Sequence, residues 1–347
     1  MKILILWSSL ADYTAASFRK LAQMPDVEIH LICQQTQSEA PFGNFDLSFC
    51  KTVQIDNPKE RHLLEKICDQ INPDCIIMAS WNYPQYMKTA KRLKKQGCYV
   101  LSAFDGQWGN TFKQMLGILI SPFFLKSCID NFLVPGDRQA QFARRLGYKN
   151  PLNGFYCANT QSLNRIHENY LQNKFLFVGR LIDQKGVDIL LQAYALYRKQ
   201  TLNPWSLVMA GTGPLIEKCK KQEGVIVKGF VQPFELAETF AQSSCLILPS
   251  TYEPWGVVIH EAAISGLIII ASHEVGATTW FVRDGLNGKI ISPDIESIKE
   301  SMLWVSNCEK RKLQEMSDSS RVLGGLWTTD KWAEYIHTSL VQGMKNK

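Results

Sequence analysis

A chain of 347 residues is longer than one hydrophobic core usually serves, so two domains of about 150 residues each are expected. Its 46% hydrophobic and 20% charged residues are ordinary globular values, which exclude a wholly disordered, collagen-like or coiled-coil chain. The net charge of +6 is modest, and nucleic acid is not expected as a partner.

From the N-terminus, residues 1–10 carry a short apolar run after one Lys, with no small-residue cleavage site, and read as a first buried strand rather than a leader. Short runs rich in Ile, Leu and Val at 3–6, 27–32, 75–79, 99–102 and 132–134 alternate with longer polar segments of helical character. This is the βαβ signature of a parallel sheet. Within that half, Lys88, Lys91, Arg92, Lys94 and Lys95 gather charge on one segment. Such a run could rest on anionic lipid, but a solvated helix face is the commoner meaning. The longest apolar stretch, 115–125, contains Pro122 and stops at Lys126, too short for a spanning helix of about 20 residues.

The second half repeats the scheme with strands expected at 175–178, 206–210, 225–227, 245–248 and 267–271. The expected organisation is therefore α/β, with two tandem doubly wound, Rossmann-like domains at 1–155 and 173–327, and a linker at 156–172. Pro151, Asn153 and Gly154 break the periodicity just before that linker. The last segment, 328–347, reads as an amphipathic helix with Thr329 as N-cap and Trp332, Tyr335, Ile336 and Leu340 as its apolar stripe. Ten cysteines lie between Cys33 and Cys308 with no Cys-x-x-Cys pair, so neither a zinc knuckle nor a redox motif is indicated, and free thiols in a reducing cytoplasm are expected.

In open α/β sheets ligands sit beyond the carboxyl ends of the strands, and three second-half loops there are unusual. Val178-Gly179-Arg180-Leu181 leads to Asp183-Gln184-Lys185-Gly186 and a helix. Two cations beside a helix N-terminus make a place for a diphosphate, although surface Arg and Lys are also the ordinary expectation. Gly211-Thr212-Gly213 follows a strand and permits close backbone approach; a plain turn explains it as well. The third loop runs Ser250-Thr251-Tyr252-Glu253-Pro254-Trp255-Gly256 into a helix beginning Val257-Val258-Ile259-His260-Glu261. Amides near Trp255 to Val257 would be available to oxygens.

Were the whole span helical, Glu253 and Glu261 would be about 12 Å apart, beyond the roughly 5 to 9.5 Å of a glycosidase carboxylate pair. The spacing suits two carboxylates addressing opposite ends of one long ligand. His260 and His273 are read as structural, as lone histidines usually are. No Asp-x-Asp occurs in the chain, so no metal or other cofactor is expected, and Arg180 and Lys185 would stabilise a leaving diphosphate themselves.

Taken together, Gly179-Arg180 with Lys185-Gly186, Gly211-x-Gly213, Lys228-Gly229-Phe230, Leu248-Pro249-Ser250 and Glu253-x7-Glu261 resemble the retaining glycosyltransferases of the group 1, or family 4, class. The resemblance covers essentially the whole second half. It implies the GT-B fold, with two Rossmann-like domains facing across a cleft, acceptor in the first and nucleotide sugar in the second. It implies Arg180, Lys185 and Glu253 as catalytic residues. Gly179, Gly211, Gly213, Trp255, Gly256, Val257 and Glu261 would hold the donor, with Phe230 and Val231 near its base. A UDP- or GDP-linked sugar would pass, with retention of configuration, to a glycan or lipid-linked acceptor. The last helix would return to the first domain. The location implied is the cytoplasm, with peripheral contact to the inner face of a membrane if the acceptor is lipid-linked.

Three departures stand out. Trp7-Ser8-Ser9-Leu10 lacks the glycine-rich loop of many relatives. Ala103-Phe104-Asp105-Gly106 has no His where relatives often carry one, leaving Asp105 as the acceptor-side candidate. Val275-Gly276-Ala277-Thr278-Thr279 lacks a common Glu. Trp81, Tyr83, Tyr86 and Trp108 could stack on a sugar or could be core. A sugar-nucleotide epimerase on the same architecture, or a non-catalytic sugar-nucleotide-binding homologue, are the competing readings.

Overall fold

The computed structural model describes residues 1–34, 46–56, 61–163 and 172–347. The chain divides into two compact units, one of Met1–Cys157 with Thr329–Lys347 and one of Ala158–Thr328. Of the expected linker, 156–172, residues 164–171 lie outside the described residues, and Thr160–Leu163 forms a short helix.

The first unit is built on a seven-stranded sheet. Its strands are β1 (Lys2–Trp7), β2 (Glu28–Gln34), β3 (Cys50–Asp56), β4 (Cys75–Ala79), β5 (Tyr99–Ala103), β6 (Asn131–Val134) and β7 (Leu152–Asn153), in the order β3-β2-β1-β4-β5-β6-β7. The second unit holds β8 (Lys174–Val178), β9 (Ser206–Ala210), β10 (Val225–Gly229), β11 (Cys245–Leu248), β12 (Ile268–Ser272) and β13 (Gly288–Ile291), in the order β10-β9-β8-β11-β12-β13. Every neighbouring pair is parallel. Both sheets thus have the doubly wound order, with its reversal between β1 and β4 in one and between β8 and β11 in the other.

Parallel strands covered on both faces read as continuous apolar runs. Ile3, Leu4, Ile5 and Leu6 of β1 and Ile268, Ile269 and Ile270 of β12 are fully buried, and such runs were the ones legible in the sequence. The strands not anticipated are β3, β7 and β13, and all three lie at sheet edges. An edge strand packs less and needs no unbroken apolar run; Lys289 and Ile290 of β13 are part-exposed.

The final helix, Thr329–Lys345, belongs to the first unit. Trp332, Ile336 and Leu340 of its stripe are buried. Trp332 packs near Phe18 of the helix Asp12–Ala22 and donates its indole N–H to the Phe155 carbonyl at 2.9 Å, while Lys20 pairs with Asp330 at 2.8 Å. All ten cysteines are free thiols.

Candidate functional site

Because the strands of the second unit are parallel, the loops after β8, β9, β10 and β11 emerge at one edge of the sheet, and they are stitched together by main-chain hydrogen bonds. The Gly179 amide donates to Ala210 O at 3.0 Å and the Leu181 amide to Thr212 O at 2.8 Å, while the Gly211 amide donates to Gly229 O at 2.7 Å. A Cβ built on Gly211 would stand 1.8 Å from the Gly179 carbonyl oxygen, so any side chain there would force the β8 and β9 loops apart. The glycines of Gly211-Thr212-Gly213 therefore serve first to let two loops touch. The sequence alone leaves that close approach open between a ligand and a plain turn.

Across the reversal point the stitching continues. The Thr251 amide and hydroxyl both donate to Gln184 O, at 2.9 and 3.2 Å, and Gln184 Nε2 donates to Tyr252 O at 3.1 Å. Gly186, at φ 72°, packs so closely that a Cβ would lie 2.1 Å from Pro249 O. Gln184 and Thr251 were not singled out from the sequence, since nothing in their spacing distinguishes them from loop polars.

This framework brings Lys185 and Glu253 together. The short 3-10 turn Asp183–Lys185 delivers the ammonium, and the loop after β11 delivers the carboxylate; Lys185 Nζ donates to Glu253 Oε2. Both side chains are largely buried. Glu253 is also held through its backbone, bridging to Val275 and accepting from the Gly276 amide at 3.1 Å, while Trp255 O accepts from Ala277 at 2.9 Å. The loop that lacks the expected Glu is thus a backbone support for Glu253.

The helix Val257–Ile264 starts directly after Gly256, which has φ 87°. Only the last part of the Glu253 to Glu261 span is helical, so the all-helical distance does not apply. The first-turn amides of such a helix have no intrahelical partner and carry its positive end. Glu261 is part-buried on it, Arg180 is exposed in the loop after β8, and Phe230 and Val231 are part-buried just after β10. Two polar groups of the β11 loop are buried without a partner, the Ser250 hydroxyl and the Trp255 indole N–H.

His260 is fully buried, as a structural histidine would be. Its Nδ1 accepts from the Ala158 amide at 3.0 Å, which leaves the proton on Nε2 to donate to Gly324 O at 3.0 Å. The ring stacks on Phe281 at 4.0 Å. Burial pushes its pKa down to about 4, so it is neutral at physiological pH. His273, directly after β12, donates from Nδ1 to Ile291 O at 3.1 Å and lies beside Glu274.

In the first unit, Asp105 is exposed at the end of β5 and accepts a hydrogen bond from the Tyr156 hydroxyl at 3.0 Å. Of the four aromatic candidates, Tyr86 is fully buried with its hydroxyl on Trp7 O at 3.0 Å. Trp81, Tyr83 and Trp108 pack against the core cluster, so a stacking platform of all four is replaced by core. The basic segment 88–95 is largely neutralised: Lys88 pairs with Glu65, Arg92 with Asp69 and Lys94 with Asp130. Among the described residues no three His, Cys, Asp or Glu side chains gather as a metal site would require.

Comparison with known proteins bears on the fold and on the second unit's sequence. Residues 161–322 match the family described as glycosyl transferases group 1. A 41.2 kDa protein of the cps region of Klebsiella pneumoniae is 31% identical over 148 residues, covering 41% of this chain and 40% of that protein. The chain therefore aligns with well under two thirds of that relative's length. Among solved structures, a glycosyltransferase of Rickettsia africae superposes with a TM-score of 0.78 at 13% identity, covering 100% of this chain and 99% of its own. HepE of Anabaena, in complex with UDP and glucose, gives 0.74 at 14%, covering 99% and 100%. The chain therefore has the two-Rossmann, GT-B fold of glycosyltransferases, and its residues 161–322 match the group 1 glycosyl transferases.

Proposed function

We propose that the protein is a metal-independent, retaining glycosyltransferase. It would move a sugar from a UDP- or GDP-linked donor, held by the second unit, to a glycan or lipid-linked acceptor engaged by the first. The observation that carries this is the Lys185–Glu253 pair at the reversal point of the second sheet, beside a helix N-terminus and two unpartnered buried donors. A diphosphate takes Lys185 and Arg180 as its counter-charges, and the leaving phosphate is stabilised by cations already in place. Loss of the Lys185 contact releases Glu253 to accept from sugar hydroxyls. Glu261, about one turn into the helix Val257–Ile264, addresses the ribose, and Phe230 and Val231 border the base. Asp105, oriented by Tyr156, is the acceptor-side polar group. A solved structure of the same fold supports the donor class: HepE was crystallised with UDP and glucose.

The reading is tested by thermal stabilisation with UDP, GDP, ADP and their sugar conjugates, with and without EDTA, because ligand bound only to the native state raises Tm. A shift selective for one nucleotide and insensitive to EDTA is expected. Absence of any shift would overturn the donor site, and conversion of the donor sugar without an acceptor would identify an epimerase.

A further inference from the structure

The helix Phe112–Phe124 in the first unit turns its apolar side outward. Phe112, Met115, Leu116, Leu119, Ile120, Phe123 and Phe124 stand at i, i+3, i+4, i+7, i+8, i+11 and i+12, which is one helical face. All seven are exposed, with Phe112, Leu119 and Phe123 at 81%, 71% and 83%. The opposite side, with Gln114, Ile118 and Ser121, is the one that meets the protein: Ile118 packs on the core and Ser121 is buried. The amphipathic orientation is thus inverted relative to a helix serving only its own core.

This is a fixed element. Thr111 and Gln114 close a capping box at its start. Near its end Pro122 has no N–H for the Ile118 carbonyl, and the Ser121 hydroxyl donates there instead at 3.1 Å. The same hydroxyl lies 3.4 Å from Leu146 O, tying the helix to the end of the helix Asp137–Arg145.

The charge around the stripe is predominantly basic: Asp130, which shares a surface hollow with Lys126 and Lys149, is itself paired with Lys94 and Lys347. No Asp or Glu occurs in residues 106–129 or 138–150. Lys126, two residues past Phe124, is exposed, as are Arg144, Arg145 and Lys149. Lys126 lies beside Gly147, close to that basic end, and the Arg145 guanidinium sits 4.9 Å over the ring of Trp108, just ahead of the helix.

We infer that this helix is an interfacial anchor for an anionic bilayer. Its stripe enters the boundary between headgroups and acyl chains, and Lys126, Arg144, Arg145 and Lys149 rest on anionic headgroups. Thirteen residues at about 1.5 Å each give roughly 20 Å, too short to span a bilayer but suited to lying in its plane. A second copy of the chain fits less well. A two-fold contact on this stripe would bring two predominantly basic surfaces together, the nearby Asp130 being already paired with Lys94 and Lys347. The inference stands apart from the glycosyltransferase reading, because vesicle binding needs no donor and no turnover.

The test is flotation of the full chain with vesicles of phosphatidylcholine alone and of phosphatidylcholine with phosphatidylglycerol. Binding to the anionic vesicles is expected, falling by roughly tenfold on neutral vesicles or in high salt. Leu119→Glu with Phe123→Glu, both at exposed positions and checked for unchanged Tm, should abolish binding. Lys126→Glu with Arg144→Glu should remove the preference for anionic lipid while leaving residual apolar binding. Failure of the wild type to float with anionic vesicles, or undiminished flotation of the Leu119→Glu, Phe123→Glu variant, would overturn the proposal. A wild-type dimer that this variant dissociates, with no vesicle binding, would assign the stripe to a second copy instead.

Discussion

The Lys185 ammonium and the Glu253 carboxylate meet across the β8–β11 reversal of the second sheet, each carried by the loop of a neighbouring strand. Their partial burial makes the pair more than a screened surface contact. Removing one partner leaves the other with its desolvation cost and no counter-charge. Lys185→Met or Glu253→Gln should each lower unfolding stability by about 1–3 kcal/mol. The double variant should be closer to wild type than the two single losses summed. Turnover should fall by about 10²–10³ in all three. Additive losses in chemical denaturation, or wild-type turnover in either single variant, would remove the pair from the mechanism.

Arg180 makes the contrasting case. It is exposed in the loop after β8, and its proposed task is to face a diphosphate rather than to hold the fold. Arg180→Ala should therefore leave stability within about 0.5 kcal/mol while weakening nucleotide binding by about tenfold or more. Calorimetric titration with the nucleotide selected by thermal shift measures both sides of the claim. A stability loss as large as that of Lys185→Met would show Arg180 to be structural.

His260 gives a pH dependence with a definite sign. Its folded pKa, near 4, lies below its ordinary value of 6.5 because the ring is buried. Protonation would also turn Nδ1 into a donor facing the Ala158 N–H. Between those two values the unfolded chain binds the proton and the folded chain does not, so stability is full above pH 6.5 and is lost as pH falls towards 4. The contribution at stake is roughly 3 kcal/mol. Carboxylates titrate in the same range, so the difference between wild type and His260→Gln isolates the effect. The wild-type advantage in stability should shrink from pH 7 to pH 4.5; a constant difference would mean that His260 is not the group responsible.

The legible part of this protein is the part where burial writes an apolar run. Central strands such as β1 and β12 are covered on both faces and announced themselves, whereas β3 and β13 at the sheet edges did not. The loops bearing Arg180, Lys185, Glu253 and Glu261 stood out in the sequence through glycines and charges following apolar strand runs and through their joint resemblance to a family pattern. Their mutual arrangement was not legible, since Gln184, Thr251 and the Gly211 approach to Gly179 are contacts between distant loops with no periodicity of their own. The helix Phe112–Phe124 shows the opposite limit. Its apolar residues were visible in the sequence, but their direction, away from the core, depends on the small and polar face of Gln114 and Ser121 finding partners inside.

Ser250 offers the most direct probe of whether the second-unit loops are built for a ligand. Its hydroxyl is fully buried just after β11 and has no hydrogen-bond partner, like the Trp255 indole N–H of the same loop. Leaving such a group unsatisfied costs about 1–3 kcal/mol, and Ser250→Ala removes the hydroxyl with almost no change in volume. If the hydroxyl is kept for the donor, the variant should be more stable than wild type by about 1 kcal/mol without ligand. It should also gain less from the nucleotide sugar, so that the two melting temperatures converge or cross as donor is added. Higher stability with an undiminished ligand shift would mean that the hydroxyl serves no ligand, and lower stability without ligand would mean that it has a structural partner after all.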